Sequence, residues 1–273
     1  MGNNSDHRAA LQAIKDVLAA DCACAPHDFL AGGVVITSAV EQAGRRRFPF
    51  PAKPLWVFSM GAGVVISCSP ERMPWIRANL GSLDRDAIFA GPAIGRLARY
   101  IARDGQDLGG PDLKYACSRA DLRPVAIPDD VTLSVVEGDG IAALYRHAGF
   151  DEALHYRSDH PRPDVAAVVA LCGGDIVGIA GAKADCASLW QIGVNVVEDA
   201  RGQGIGRAVV GRLTAVILEK GKVPYYSTAV SNIASRTVAI RLGYWPAWVE
   251  LYAQDRRLQQ PPPGRADAKN LGR

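Results

Sequence analysis

Apolar positions along this chain follow two rhythms in turn. Ala10, Leu11, Ile14, Val17 and Leu18 recur at helical spacing, with Ser5 or Asp6 placed to cap the helix. Ala31 to Ser38 reads as a short strand, and Arg45 to Pro54 as an arginine- and proline-rich loop. Leu55 to Met60 and Gly63 to Cys68 are apolar, β-branched runs around Gly61-Ala62-Gly63, the pattern of a hairpin. Ser69 then stands as an N-cap with Pro70 at the first helical position, opening a helix through Leu80, with Arg72 where a capping box would place an acid. A second helix is predicted over Ile94 to Arg103, and Gly105 to Pro111 reads as a turn-rich break.

From about Val131 the pattern becomes a compact α/β alternation. Thr132 to Glu137 is strand-like, and Ile141 to Leu154 carries helical spacing interrupted at Gly149. Asp164 to Cys172 and Ile176 to Ala182 are apolar strands joined by Gly173-Gly174, and Leu189 to Val197 is another. A helix follows over Gly206 to Lys220, with Gly221 ending it, then a strand over Val223 to Val230. Asn232 to Leu242 is a helix that stops at Gly243, and Trp248 to Ala253 is a last strand. The rhythm divides the chain into an N-terminal α/β domain over 1–125, a second domain over 126–255 and a tail over 256–273. The tail lacks periodicity and is expected to be disordered.

Composition narrows the function classes. The chain has 273 residues, 48% of them hydrophobic, enough for a real core. A net charge of +3, from 31 basic and 28 acidic residues, lacks the concentrated basic field of a general nucleic-acid binder. The run Arg45-Arg46-Arg47 reads as a solvated loop, the alternative being a site for an acidic group. Six cysteines are scattered without a CxxC pair or a histidine cluster, so no metal site is expected, and Cys172 and Cys186 read as buried small hydrophobes. The N-terminus has no signal-like apolar region, and no apolar run reaches the ~18 residues of a membrane span. A reduced, cytoplasmic, soluble protein without nucleic-acid or membrane partners is expected.

The chemistry concentrates between the strand Leu189–Val197 and the helix after it, in Arg201-Gly202-Gln203-Gly204-Ile205-Gly206-Arg207. Strand, glycine-rich turn and helix make a phosphate site: turn amides converge with those of the helix N-terminus, and glycines let the backbone approach the ligand. Arg201 and Arg207 add positive charge at its rim. A dinucleotide turn needs G-x-G-x-x-G, but from Gly202 the spacing is G-x-G-x-G. The next strand also ends in Ser227-Thr228-Ala229 rather than a ribose-binding acid. No Gly-Lys-Ser/Thr of a Walker loop is present.

These residues resemble the GNAT superfamily of acyl-CoA-dependent N-acyltransferases. Arg201-x-x-Gly204-x-Gly206 fits the signature Gln/Arg-x-x-Gly-x-Gly/Ala, and Trp190 to Val196 before it and Ser231-Asn232 and Leu242-Gly243-Tyr244 after it keep the family's order. The resemblance covers about Val131 to Ala253. It implies an α/β fold with a GNAT-like mixed, mostly antiparallel sheet flanked by helices. Residues 126–255 would be the acyltransferase domain, and 1–125 a smaller α/β domain, whose hairpin and helix loosely mimic the later topology and hint at a degenerate duplicated half. Acetyl-CoA is implied as co-substrate. Its pantetheine would lie on main-chain groups around Ile192, Val194 and Val196, its pyrophosphate on the amides from Gly202 through Gln203, Gly204, Ile205 and Gly206 to Arg207, and Asn232 would touch the pantetheine arm. Asn232 is also suited to capping its helix.

The implied reaction is direct attack of a small-molecule amine on the thioester, which requires removal of the ammonium proton, an oxyanion donor and a proton donor for the thiolate. The sequence departs from the family at two places. Ala239 occupies the usual tyrosine position, and Trp190-Gln191 the usual strand carboxylate. Tyr226, Tyr225 and Ser231 are therefore the candidate catalytic groups, with Ser227 beside them and Asp185, His155 and Glu250 as candidate bases. Adjacent Tyr225 and Tyr226 should face opposite sides of their strand. Trp190, Trp245 and Trp248 read as core or cleft-wall aromatics. Three functions stay open: N-acetylation of a small amine, acyl-CoA binding without turnover, and protein-lysine acetylation. A homodimer is entertained as the assembly.

Overall fold

The computed structural model describes residues 3–256; the tail expected to be disordered lies, beyond Arg256, outside the described residues. Ten strands form one mixed sheet: β1 (Val34–Ser38), β2 (Leu55–Ser59), β3 (Val64–Cys68), β4 (Gln106–Ala116), β5 (Val131–Glu137), β6 (Asp164–Cys172), β7 (Asp175–Ala184), β8 (Leu189–Val196), β9 (Val223–Ala229) and β10 (Trp245–Asp255). They lie in the order β1-β3-β2-β10-β4-β9-β8-β7-β6-β5. The pairs β1–β3 and β8–β9 are parallel and the rest antiparallel, which is the mixed, mostly antiparallel α/β sheet expected.

Helices cover both faces: α1 (Asn3–Cys22), α2 (Met73–Leu80), α3 (Arg85–Ile88), α4 (Gly91–Ala102), α5 (Gly140–Leu144), α6 (Ile205–Glu219) and α7 (Ile233–Arg241). Strand alternation assigns the faces. Tyr226 and Tyr115 pack with Val209, Leu213 and Ile217 of α6, whereas their neighbours Tyr225 and Ala116 pack with Ile14, Val17 and Leu18 of α1. On the face of α6, farther along the sheet, Val57, Ile66 and Leu251 pack under α2 and α4.

The largest departure from the sequence reading is β4. Gly105 to Pro111 reads as a break, yet Gln106–Ala116 is a strand between β9 and β10. Its glycines serve close approach instead of turning the chain. A Cβ on Gly109 would come 2.5 Å from the Tyr252 ring, and one on Gly110 would come 2.5 Å from the Glu250 carbonyl, where the β4–β10 register shifts. Strands from both halves of the chain thus share one sheet, with β10 pairing to β2 on one side and β4 on the other.

Smaller differences have equally local causes. Only Gly140–Leu144 of the segment 141–154 is helical; Phe150, Ala153 and Leu154 instead pack on β6 and β7 from an irregular segment. Ser69 makes no side-chain cap, a 3-10 turn over Pro70–Arg72 precedes α2, and Arg72 is buried on Asp104 and Gln106, not placed as a capping residue. Cys186 is buried as expected, but Cys172 is only half-buried.

Candidate active site

The glycine-rich turn joins β8 to α6 through two residues with left-handed backbone, Gly202 at φ +81° and Gly204 at φ +89°. A side chain is strained in that region, so both positions favour glycine. Helix α6 makes its first internal bond from the Ala208 N–H to the Gly204 carbonyl at 3.0 Å. The N–H groups of Ile205, Gly206 and Arg207 precede that bond and border a cleft of ≈ 530 Å³, the positive end of a 15-residue helix. Arg207 Nε is buried there without a hydrogen-bond partner. Arg201 is exposed and its Nε donates to the Val196 carbonyl at 3.2 Å, tying the turn to the end of β8. The Arg201 N–H is itself taken by the Glu198 carbonyl at 3.1 Å, so the amides available to an anion begin after it.

Strands β8 and β9 pair only from Leu189/Val223 to Ile192/Tyr226. Beyond that point β8 continues against β7 to Val196, and β9 continues against β4 to Ala229. The two strands therefore part, leaving one edge of Gly193–Val196 unpaired. Val223 N–H donates to Ser188 at 2.8 Å on the β9 side, while Val197 N–H donates to Val177 at 3.0 Å on the β7 side. By strand alternation the main-chain groups of Ile192, Val194 and Val196 turn toward β9. Ile192 is at the last paired position and buried; Val194 and Val196 border the cleft, and Val196 already accepts from Arg201. Val194 keeps both groups toward the gap, a template for an amide-bearing chain.

The two tyrosines separate as strand alternation requires. Tyr226 borders the cleft and shares a hydrogen bond of 2.6 Å with Ser235 of α7; burial raises its pKa. Tyr225 faces the other side, fully buried, with its hydroxyl on Asp185 and its ring 5.3 Å from that of Trp248; burial again raises its pKa. Ser231 is exposed in the turn before α7. Asn232 caps α7, accepting from the Ser235 N–H at 3.0 Å, and the cleft wall on that helix comes from later residues, Ser235 and Arg241 among them. Those two were not read from the sequence; a helix following the second strand at this spacing is the signal that could have pointed to them.

On the opposite face lies a second cavity of ≈ 460 Å³. Ser227 and Gln191 reach it from the strands whose adjacent residues, Tyr226 and Ile192, face α6. Arg46 lines this cavity and is almost fully buried, which corrects the reading of Arg45-Arg46-Arg47 as a solvated loop; Arg47 alone of the three is exposed. Arg46 donates to Asp21 at 2.6 Å and to Glu250 at 3.0 Å, and Glu250 also pairs with Lys114 at 3.1 Å and accepts from Trp248 at 2.8 Å. Burial opposes the Glu250 charge, but the neighbouring cations Arg46 and Lys114 outweigh it and hold the carboxyl down at about 2. Asp185 is bonded by Arg162 and Tyr225. His155 borders the cavity, stacked on His160, and burial lowers its pKa to about 3, so it is neutral near pH 7. Two of the candidate bases, His155 and Glu250, therefore line this cavity, and Asp185 lies buried behind the lining residue Arg162; Glu250 and Asp185 are already committed to cations.

Segment 150–154 lies across the β7–β8 side of this cavity. A Cβ on Gly193 would come 1.9 Å from the Glu152 carbonyl, and one on Gly181 2.0 Å from that of Ala153. Asn195 Oδ1 accepts the N–H groups of both Glu152 and Ala153 at 2.9 Å. Glycines inside two strands mark such a close backbone approach.

A sheet parted between two parallel strands, with a helix N-terminus at the mouth of the gap, is the arrangement that the resemblance to GNAT acyltransferases implies. Residues 138–244 match the Acetyltransferase (GNAT) family. No curated protein matches the chain significantly. Among solved structures, a GCN5-related N-acetyltransferase from Kribbella flavida is 21% identical at a TM-score of 0.44, covering 59% of this chain and 63% of that one. A GCN5-related N-acetyltransferase-like protein from Streptococcus suis is 20% identical at a TM-score of 0.43, covering 63% of this chain and 76% of that one. A tandem GNAT protein from the clavulanic acid biosynthesis pathway is 14% identical at a TM-score of 0.40, covering 60% and 58%. Among the described residues no helix is long and apolar enough to cross a membrane.

Proposed function

We propose that this chain is an acetyl-CoA-dependent N-acetyltransferase that passes the acetyl group directly to a small-molecule amine. The observation that carries the reading is the end of β8–β9 pairing at Ile192 and Tyr226, flanked by the helix-terminus cleft on one face and the polar cavity on the other. The residues present fit the co-substrate. The amides of Gly202 to Arg207 and the unpartnered Arg207 Nε suit a pyrophosphate, and the free edge at Val194 suits the pantetheine amides.

Acetyl-CoA supplies the thioester; the chain's part is to hold, orient and move protons. Tyr226, kept protonated by burial and paired with Ser235, is the side chain this reading assigns to donate a hydrogen bond to the departing thiolate. Ser231, exposed in its turn, is the less suited of the polar candidates, and Tyr225 supports the wall through Asp185. Glu250 and Asp185 are held by cations, so the reading assigns loss of the ammonium proton to water in the cavity. The small-molecule acceptor is favoured over a protein lysine because Phe48, Pro49 and Pro51 wall the cavity, a shape suited to a small molecule.

A second reading, acyl-CoA binding without turnover, is favoured by Ala239, buried at the usual tyrosine position and unable to donate a proton. Calorimetric titration with acetyl-CoA, followed by thiol release with a panel of amines, separates the readings. The transferase reading expects binding, thiol release, and a kcat lowered about 10- to 100-fold by Tyr226→Phe at unchanged KM for acetyl-CoA. Binding with no thiol release from any amine supports the second reading, and no binding removes both.

A further inference from the structure

Four basic side chains line the cavity on the α1 face: Arg46, Lys114, Arg162 and Lys183. Three are neutralised within the wall, Arg46 by Asp21 and Glu250, Lys114 by Asp112 and Glu250, and Arg162 by Asp185. Lys183 differs. Its Nζ donates to the Glu152 main-chain carbonyl at 2.8 Å and forms no ion pair with a described carboxylate, although the residue is only 8% exposed. Burial lowers its pKa, and the carboxylates of Asp164, Glu152 and Asp185 oppose that shift only from beyond ion-pair distance. A second donor is also unmet: Arg46 Nη1 is buried without a partner.

The position of Lys183 is informative. Lys183 pairs with Gln191 across β7–β8, and Gln191 pairs with Tyr225 across β8–β9, one residue before those strands part. An anion on Lys183 would thus stand beside the gap, where the reacting amine must also be. Aromatic side chains, Phe48, Trp56 and Tyr252, line the same cavity and suit an apolar remainder.

We propose that the acceptor is an amino acid-type amine whose carboxylate is bound by Lys183 Nζ close to the amine. This rests on the transferase reading for the location of the amine, but its test does not require turnover. Binding of phenylalanine and of its decarboxylated counterpart, phenethylamine, is measured by calorimetry on the full chain in the presence of CoA. Wild type is expected to bind phenylalanine at least about 10-fold more tightly, in line with a charge-assisted contact of roughly 1.5–3 kcal/mol. Lys183→Met is expected to abolish the difference while acetyl-CoA affinity, the control for folding, is unchanged; Lys183→Arg is expected to retain much of it. Equal binding of the two amines, no binding of either, or a preference that survives in a folded Lys183→Met variant overturns the proposal. If Lys183→Met does not fold, the wild-type comparison decides. Lys183-dependent phenylalanine binding without thiol release leaves Lys183 as the carboxylate site of a bound amino acid and removes the transferase reading.

Discussion

Arg46 shows how much a single residue's meaning depends on its surroundings. In the sequence it is the middle of a basic run; in the fold it joins α1, through Asp21, to β10, through Glu250. Removing one partner from a buried pair leaves an uncompensated charge, so Glu250→Ala is expected to cost about 3–5 kcal/mol. The titratable groups around the cavity also set an acid limit. Glu250 titrates at about 2 in the fold against an ordinary 4.5, and His155 at about 3 against 6.5. In both cases the unfolded chain binds the proton more readily, so stability falls as pH drops, first below about 6.5 through His155 and then below about 4.5 through Glu250. Thermal melts from pH 7 to pH 3 check this, and His155→Asn is expected to flatten the decline between pH 6.5 and 4.5. A melting temperature independent of pH over that range would contradict the assignment.

At the scale of elements, the decisive feature is a pair of strands that stop pairing. Alternation places the N–H of Val194 in the gap and the N–H groups of Gly193 and Asn195 on β7. Proline at 194 therefore removes no sheet bond on the β7 side, while it deletes a donor from the free edge. Val194→Pro is expected to keep the circular dichroism spectrum of the parent and to weaken acetyl-CoA binding at least about 10-fold, as one lost amide contact would. Unchanged affinity would show that the pantetheine arm does not use this edge. Much of this region was legible beforehand. The apolar run of β8, the glycine turn and the amphipathic α6 are local signals, and local signals survive in sequence. That β8 and β9 part after Ile192 was not legible, because hydrogen bonds between strands leave no mark on either strand alone. The polar cavity was less legible still: its walls come from residues as distant as Arg46 and Glu250.

The whole molecule turns on the placement of β4. This strand comes from the first half of the chain and separates β9 from β10, which both come from the second. A fragment of residues 126–255 would leave β9 without its β4 partner, and β10 without both β4 and β2, exposing edges prone to association. That fragment is expected to be aggregated or unfolded by size-exclusion chromatography and circular dichroism, and co-expression with residues 1–125 to restore a soluble complex. A soluble, folded 126–255 fragment that binds acetyl-CoA would instead establish it as an autonomous domain. The first half also contributes Arg46, Phe48, Trp56 and Lys114 to the cavity wall, so its part in the proposed acceptor site is direct.

By itself the sequence determined where most strands and helices lie, that a glycine-rich turn joins β8 to α6, and that Tyr225 and Tyr226 face apart. Each of these depends on residues close together in the chain, where periodicity and backbone freedom act. Only the tertiary structure decided that Gly109-Gly110 bends a central strand instead of breaking it, that Arg46 is buried, and that Lys183 lines a cavity without a carboxylate partner. Those outcomes depend on which distant strand lies alongside and which charges fold inward. Such choices are made by the free energy of the whole packed sheet, and no short window of residues contains them.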